Sequence, residues 1–209
     1  MSQVSTSFDV PSLPVTKRGR ATRRAILEAA EATVAEFGYE RASVAEITRR
    51  AGIAQGTFYV HFPDKKAAFL ELVRHVNHEV RETGSRATEG LTDRAAMERA
   101  GFRAFFKRVL EEPSVYQIIR QSEFVDTDVH RSHYRTLAEP YTDGLRNAME
   151  SGQIANDIDP ELLAYILMGI AEFMGMKMVV WENELPPQEA FDQLMTFILR
   201  GMGAKEAHE

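Results

Sequence analysis

A cluster of positive charge stands near the start of the sequence. The segment Lys17-Arg18-Gly19-Arg20-Ala21-Thr22-Arg23-Arg24 carries five Lys and Arg residues and no acidic residue. Such a density of cations attracts phosphate oxygens, and an arginine–glycine–arginine sequence fits narrow A·T-rich minor grooves. Lys17, Arg18 and Arg20 are therefore candidate contacts to a polyanion, although a run of charge is more often simply solvated.

A second polar cluster lies in the short segment that runs from Gln55 to Phe62. Pro63 ends this segment, because proline disfavours helical angles at the residue before it. Two short helices joined by a glycine-bearing turn form a helix-turn-helix, in which the second helix is slim enough to enter a major groove. The candidate base or sugar contacts are Gln55, Thr57, Val60 and His61, and Gly56 would let this helix approach the nucleic acid closely. Ser43, at the N-cap of the preceding helix, would direct amide donors at phosphate.

The region between residues 102 and 181 is rich in aromatic and thioether side chains that could line an apolar cavity. The candidate ligand-binding residues are Phe102, Phe106, Tyr116, Arg120, Phe124, Tyr134, Tyr141, Phe173 and Trp181. Any one of them is more often ordinary core. The polar residues that would either orient a ligand or face water are Gln117, Gln121, Glu123, His133, Glu172 and Lys177.

Enzymatic and metal chemistry are disfavoured. The chain has no cysteine, which excludes disulfides, thiolate zinc sites and cysteine nucleophiles. No nucleophile elbow, phosphate-cradling glycine loop or metal-ligand motif occurs, so Ser122, Glu123 and His133 would need tertiary proximity to act together. His75 with His78 and His130 with His133 have i,i+3 spacing, but no spacing implies a third ligand. No enzyme, metal or other cofactor is expected.

The elements that position these side chains are predicted to be helices throughout. Apolar spacing predicts a first helix over residues 22–37, and a Ser-x-x-Glu capping box at Ser43 starts a second. A fourth helix begins after Asp64 and runs towards Gly84, before a polar break over residues 84–91. Later helices are expected over roughly residues 93–110, 113–123, 128–151, 160–182 and 187–202. No alternating pattern predicts a strand, so the fold class is all-α with about nine helices.

Charge and composition divide the chain into three parts. Residues 1–16, which contain Pro11 and Pro14, are predicted to form a disordered tail. Residues 17–66 form a three-helix domain and residues 67–209 a helical domain. Residues 1–66 hold ten Lys and Arg against seven Asp and Glu, whereas residues 67–209 hold fifteen against twenty-four. No stretch approaches eighteen uncharged apolar residues and no secretory signal is evident, so a cytoplasmic protein without a membrane partner is expected.

The N-terminal pattern resembles a known family. Ala25-Ile26-Leu27-Glu28-Ala29-Ala30, Phe37-Gly38-Tyr39, Ser43-Val44-Ala45-Glu46-Ile47 and the run from Ala51 to Lys65 are similar to the DNA-binding domain of the TetR/AcrR family in order and spacing. The resemblance implies an N-terminal helix-turn-helix, a C-terminal ligand-binding and dimerisation domain, and repression of transcription. It also implies that Tyr59 and Lys65 clamp phosphates, although Tyr59 could equally be a packed aromatic residue.

A dimer is expected because one short helix reads too few base pairs for useful selectivity. Such modules read palindromes whose half-sites lie about 34–36 Å apart. The last two helices carry apolar stripes too wide for a single neighbour. The candidate interface residues are Leu163, Leu167, Ile170, Met174, Phe191, Met195, Ile198 and Met202. The alternative is a helix pair that is fully buried within a monomer.

The function expected from these observations is a ligand-responsive repressor that grips a palindromic double-stranded operator as a homodimer. A small hydrophobic effector would release it, and a hundredfold preference for one conformation is worth about 2.7 kcal/mol. The pattern from Phe105 to Tyr141 is similar to family members that sense acyl-coenzyme A, in which case Arg120, Arg131 and Arg135 would meet the phosphates. The alternatives are a helical protein-interaction adaptor or an enzyme.

Overall fold

The computed structural model describes residues 16–204. The predicted disordered tail lies outside this range except for Thr16. Within the range the chain forms nine α-helices and no strand, which confirms the all-α fold class. The helices are α1 (Lys17–Phe37), α2 (Val44–Ala51), α3 (Gln55–His61), α4 (Lys65–Thr88), α5 (Arg94–Glu111), α6 (Ser114–Val125), α7 (Thr127–Glu150), α8 (Pro160–Gly175) and α9 (Gln188–Gly201), and a π-helical turn (Met176–Val180) follows α8 directly.

Side-chain caps decide where the first two helices begin. The Oγ1 atom of Thr16 accepts a hydrogen bond from the amide of Gly19 at 3.0 Å, so α1 starts five residues before the predicted position. The Oγ atom of Ser43 accepts from the amide of Glu46 at 3.1 Å, which confirms the predicted start of α2. That helix ends at Gly52, whose φ of 67° is in the left-handed region that glycine adopts without strain.

The chain divides into two compact units, with the boundary inside α4 between Leu72 and Val73. The core of the first unit is built from Ile26, Val34, Ile47, Phe58 and Phe62. Val44 and Ile53, two further apolar residues of this region, are only half-buried. Phe58 and Phe62 are nevertheless fully buried, so one side of the short helix α3 anchors it to the unit and leaves the other side free.

Arg23, which belongs to the basic segment, has a structural role. Its guanidinium pairs with the carboxylate of Glu71, donates to the carbonyl of His61 at 2.7 Å and lies 4.2 Å from the ring centroid of Phe62. The side chain is almost fully buried. Arg23 therefore joins α1 to the end of α3 and to the first turns of α4.

The second unit has its own core, formed by α5, α7, α8 and α9. The fully buried large residues include Phe106, Leu145, Leu167, Met195 and Met202. The helix α4 continues to Thr88, through Gly84 at the start of the predicted polar break, although a glycine inside a helix costs about 1 kcal/mol. The helix α7 likewise runs without interruption through Pro140.

The segment Pro160–Val180 is long and apolar enough, by length and composition alone, to cross a membrane. The sequence-based expectation concerned uncharged stretches of eighteen residues, and this segment is not one, because charged residues interrupt it. The segment contains Glu161, Glu172 and Lys177. A single such helix is weak evidence, because core helices of water-soluble proteins pass the same test.

Candidate functional site

The helix α3 turns a continuous side towards solvent. Gln55, Gly56, Tyr59 and Val60 are exposed, with Val60 at 79%, and Thr57 is half-buried beside them. Since Phe58 on the opposite side holds the helix in place, the exposed side presents amide, hydroxyl and phenol groups on a rigid support. This is the arrangement that reading a groove requires.

His61, predicted as a base or sugar contact, does not belong to this exposed side. Its side chain is only 8% exposed, and its backbone carbonyl accepts the hydrogen bond from Arg23. Burial, together with the nearby charge of Arg23, lowers the pKa of the imidazole, so the neutral form is favoured. The position of His61 at the end of α3 gave no sign of this inward direction, and the prediction is corrected.

Lys65 also has a different role from the predicted phosphate clamp. Its Nζ atom donates to the backbone carbonyls of Tyr39 at 2.7 Å, Ala42 at 2.9 Å and Glu40 at 3.4 Å. The same atom lies 4.1 Å from the ring centroid of Tyr39. An ammonium group has three donors, and these contacts use all three. Lys65 therefore fastens the loop between α1 and α2.

The predicted basic arm is the first turn of α1 and not an extended strand. Lys17, Arg18 and Arg20 remain exposed on this turn, whereas Arg24 pairs with Glu28 at 2.8 Å. A helix is about 10–12 Å wide with its side chains, which is too wide for a minor groove of about 6 Å. In this conformation the three cations can meet phosphates but cannot follow the floor of a minor groove.

The cations of α2 are largely committed to carboxylates. Glu46 accepts from both Arg49 and Arg50, at 2.8 Å in each case, and Arg50 also pairs with Glu36. These hydrogen bonds lower the pKa of Glu46 to about 2, so its charge persists at every physiological pH. The positive charge on the first turn of α1 is therefore a better phosphate candidate than that of α2.

The second unit contains a cavity of about 690 Å³ lined by α4, α5, α6, α7 and α8. Four of the predicted ligand-binding residues line it: Phe102, Tyr116, Tyr134 and Tyr141. Further apolar lining comes from Phe105, Val115, Ile119, Leu137, Leu167 and Met168. The volume and the apolar lining are those of a site for a drug-sized molecule.

The other five predicted ligand-binding residues lie away from this cavity. Phe106 is buried in the core, and the Arg120 guanidinium is exposed, 3.6 Å from the sulfur of Met176. The remaining three are exposed on the surface: Phe124 at 86%, Phe173 and Trp181. Helix direction explains two of these errors, because α6 buries Ile118, Ile119 and Ser122 and consequently turns Arg120 and Phe124 outwards.

The lining of the cavity includes a buried ion pair that the sequence analysis did not predict. The Nε atom of Arg94 donates to Glu98 at 2.8 Å, and the Tyr141 hydroxyl donates to the other carboxylate oxygen at 2.6 Å. A Cβ atom at Gly144 would lie 2.9 Å from the Arg94 guanidinium, so this glycine makes room for it. Burial, more than the charge of Glu98, raises the pKa of Tyr141. The i,i+4 spacing of Arg94 and Glu98 was the available signal.

A second set of hydrogen bonds in the cavity lining involves Glu172 of α8. The Tyr134 hydroxyl donates to both carboxylate oxygens, at 3.0 and 3.1 Å, and the Tyr116 hydroxyl donates to the backbone carbonyl of Glu172. Burial raises the pKa of both phenols, and the negative charge of Glu172 adds to the effect. Glu172 is one of the polar residues that the sequence left open between ligand and water, and it lines the cavity.

His133, the other polar lining residue of this kind, is tied to α4. The Nδ2 atom of Asn77 donates to the His133 Nδ1 atom at 3.2 Å and to its carbonyl at 3.0 Å. Burial, with a smaller contribution from His130, lowers the pKa of His133 to about 4. The ring is therefore neutral, accepts through Nδ1 and carries its proton on Nε2.

Ser122 and His130, two of the residues considered for catalysis or metal binding, have structural partners. Ser122 is fully buried, donates to the carbonyl of Ile119 at 2.6 Å and lies 2.9 Å from the Nδ1 atom of His130. A hydroxyl group so occupied has no access to a substrate. Across residues 16–204, no three His, Asp or Glu side chains converge on a point that could hold a metal ion.

The predicted dimer residues mostly face the core of their own protomer. Leu163, Leu167, Phe191, Met195, Ile198 and Met202 are buried, and Ile170 and Met174 are half-buried. An apolar stripe on the other side of α8 is exposed instead. It consists of Leu162, Ile166, Gly169 and Phe173, at the i, i+4, i+7 and i+11 positions of one helix face, and Phe197 is exposed on α9.

Residues 26–72 match the family model described as bacterial regulatory proteins, tetR family. Among curated relatives, the chain is 23% identical over 190 residues to the uncharacterized HTH-type transcriptional regulator YhgD of Bacillus subtilis, covering 87% of this chain and 97% of that protein. It is 29% identical over 151 residues to the HTH-type transcriptional repressor AcnR of Corynebacterium glutamicum, covering 68% of this chain and 73% of AcnR. These relatives are regulators and not enzymes.

Among solved structures, the transcriptional regulator FadR from Bacillus subtilis, in complex with stearoyl-CoA, is similar with a TM-score of 0.74. It is 18% identical, and the likeness covers 85% of this chain and 98% of FadR. At this identity the similarity establishes a common fold. The family model covers the helix-turn-helix, the similarity in fold extends over most of the chain, and the relatives are described as HTH-type transcriptional regulators. Residues 26–72 therefore carry the DNA-binding domain of the tetR family of bacterial regulatory proteins, and the chain is similar over most of its length to HTH-type transcriptional regulators.

Proposed function

We propose that the protein is a repressor that binds a palindromic operator as a homodimer and leaves it when a small hydrophobic effector fills the 690 Å³ cavity. The observation that carries the proposal is the exposed side of α3, held on a buried Phe58. The description of AcnR as a repressor supports the direction of regulation.

The proposed DNA contacts fall into two groups. Gln55, Gly56, Thr57 and Tyr59 lie on the exposed or half-exposed side of α3, where amide and hydroxyl groups would reach base edges or sugars and the phenol a phosphate. Lys17, Arg18 and Arg20, together with the exposed Ser43 at the start of α2, would meet phosphates and fix the register.

The proposed dimer interface is the exposed stripe of α8 defined by Leu162, Ile166, Gly169 and Phe173. An added Cβ atom at Gly169 would have no neighbour within 4 Å in the protomer, so the glycine leaves space for a second helix to approach. Contact between two copies would remove this apolar surface from water at about 25 cal/mol per Å². A pair of α3 helices would then read two half-sites.

The effector would act through α4, which supplies Lys65 to the first unit and His78, Arg81 and Thr88 to the cavity lining. Release requires that the effector bind one conformation better than the other, and a hundredfold preference corresponds to about 2.7 kcal/mol. An acyl-CoA is one candidate, supported by the ligand of the FadR structure and by a surface cleft that includes Arg131 and Arg135.

The test is binding of the purified protein to the DNA upstream of its own gene, measured by fluorescence anisotropy against a shuffled fragment. Tyr59→Phe is expected to weaken binding to all sequences by about 3- to 10-fold, since one charge-assisted hydrogen bond to phosphate is lost. Thr57→Ala is expected to change the preferred operator sequence instead.

Lys107→Ala is the matched control for a Lys17→Ala variant, because Lys107 is an exposed cation on α5. Only the Lys17→Ala variant is expected to reduce the dependence of binding on salt. Equal retention of operator and shuffled DNA would overturn the proposal. Absence of any salt-dependent affinity would favour the alternative, a helical protein-interaction adaptor.

A further inference from the structure

Glu172 differs from the other carboxylates of the cavity lining in its partners. Its side-chain oxygens accept hydrogen bonds from the Tyr134 phenol, and within residues 16–204 no ion pair joins it to a Lys, Arg or His. Glu98 is held by Arg94, and Glu82 pairs with Arg86 at 2.5 Å. Glu172 is therefore a half-buried carboxylate that the Tyr134 phenol orients and that forms no ion pair with the described residues.

The cations of the lining are either occupied or outside. Arg94 pairs with Glu98, and Arg108 pairs with Glu79 at 2.5 Å and with Glu112 at 2.8 Å. His78 and Arg81 are exposed on α4 at the rim. Arg131 and Arg135 are exposed in the separate surface cleft of about 480 Å³ that also reaches Glu172. The cations that line the cavity are thus either paired with carboxylates other than Glu172 or exposed to solvent.

Aromatic rings surround the same carboxylate. Tyr134 and Tyr116 both bond to Glu172, and the ring of Phe105 lies 6.3 Å from that of Tyr116, centroid to centroid. A ring face attracts a cation, and the attraction strengthens as both are removed from water. A carboxylate beside aromatic side chains is suited to an organic cation, because the carboxylate and a ring face both stabilise positive charge.

We infer that the effector carries a protonated amine that pairs with Glu172 beside Tyr116 and Tyr134, while its apolar body extends along the cavity towards Phe102. The inference deepens the proposed function and rests on the cavity being the effector site. A carboxylate, or the phosphates of a coenzyme, placed at this end would meet Glu172 without a counter-ion, and would find its cations only at the rim or in the outer cleft.

The test uses three probes with one aromatic body and different head groups: naphthylethylamine, naphthylethanol and naphthylacetate. Their affinities for the full-length protein without DNA are measured by isothermal titration calorimetry. The amine is expected to bind about 10- to 100-fold more tightly than the alcohol. This is the gain in affinity that a hydrogen bond between charged groups contributes. The carboxylate is expected to bind more weakly than the alcohol.

Glu172→Gln keeps an acceptor for Tyr134 and removes the charge, so it should reduce the affinity for the amine to that for the alcohol. Glu161→Gln is the matched control, since it removes an exposed carboxylate from the same helix and should change neither affinity. Equal binding of amine and alcohol to the wild-type protein would overturn the inference, as would an unchanged preference in Glu172→Gln or tighter binding of palmitoyl-CoA than of the amine.

A separate measurement distinguishes this inference from the proposed function. The amine is added to the protein already bound to its upstream DNA, and release is followed by anisotropy. Tight, Glu172-dependent binding without release would contradict the proposed response to effector while supporting the chemical class. Release without a preference for the amine would do the reverse.

Discussion

The ammonium group of Lys65 closes the loop between α1 and α2 by capping three backbone carbonyls. Hydrogen bonds from a charged donor contribute about 1.5–3 kcal/mol each where water is excluded, and removing the donor leaves its acceptors to find water. Tyr39 and Ala42 provide the two short contacts, at 2.7 and 2.9 Å. The residue that resembled a phosphate clamp is thus placed to determine the stability of the first unit.

Lys65→Met is expected to lower the free energy of unfolding by about 2–4 kcal/mol, since it keeps the aliphatic stem and removes the donors. The measurement is denaturation by urea, followed by circular dichroism. Lys107→Ala is the control, because its exposed ion pair with Glu111 is worth less than about 1 kcal/mol. A Lys65→Met protein of unchanged stability but weakened DNA binding would restore the phosphate role.

The helices themselves were largely predictable from sequence, whereas the direction of their faces was not. The second-unit helices lie within a few residues of the predicted ranges, apart from the π-helical turn after α8, because apolar periodicity and initial Asp or Pro residues encode helix length locally. On α8, however, both Leu163 and Leu162 are apolar, and only the tertiary structure buries the former and exposes the latter. An all-round apolar helix carries no local signal of which face meets the core.

The cavity shows the same limit. Tyr116, Tyr134 and Tyr141 were predicted as lining from their type, and they do line it. The ion pair of Arg94 and Glu98 was missed, because a charged side chain is expected to be buried only where its counter-ion is known. The absence of an ion pair at Glu172 among the described residues likewise depends on the long-range placement of α7 and α8, which no spacing in the sequence specifies.

Asn77 of α4 and His133 of α7 form a contact between two helices. The contribution of this contact to the stability of the protein depends on pH. The pKa of His133 is lowered to about 4 in the folded protein, so the unfolded chain takes up this proton first as the pH falls. The stability from this group is therefore complete above a pH of about 6.5 and is lost as the pH falls towards about 4. The loss amounts to as much as about 3 kcal/mol.

His133→Gln, which keeps an amide for Asn77 and does not titrate, should remove this component. The free energy of unfolding is measured for both proteins at several values between about pH 7 and pH 4.5. The wild-type curve is expected to fall more steeply than that of the variant, and the difference isolates His133 from the carboxylates. Parallel curves would contradict burial of a neutral imidazole at this contact.

At the scale of the whole molecule, the exposed stripe on α8 and the short helix α3 both call for a second copy of the chain. Leu162, Ile166 and Phe173 are exposed, large and apolar along a single helix face. Contiguous patches of this kind mark interaction surfaces. A single α3 of seven residues reads too little sequence for selectivity, so joining two copies through the stripe would satisfy both conditions.

Ile166→Glu is expected to convert a dimer into a monomer, because each copy would bring a charge into the apolar contact beside Gly169. Light scattering after size exclusion measures the mass, and the affinity for operator should fall at least about 100-fold, since two half-sites no longer bind as one unit. Leu91→Glu is the control, as it places the same charge on an exposed apolar residue away from α8. A dimeric Ile166→Glu protein with intact operator affinity would show that another surface joins the copies, because a buried unpaired carboxylate costs several kcal/mol and cannot be accommodated there unnoticed.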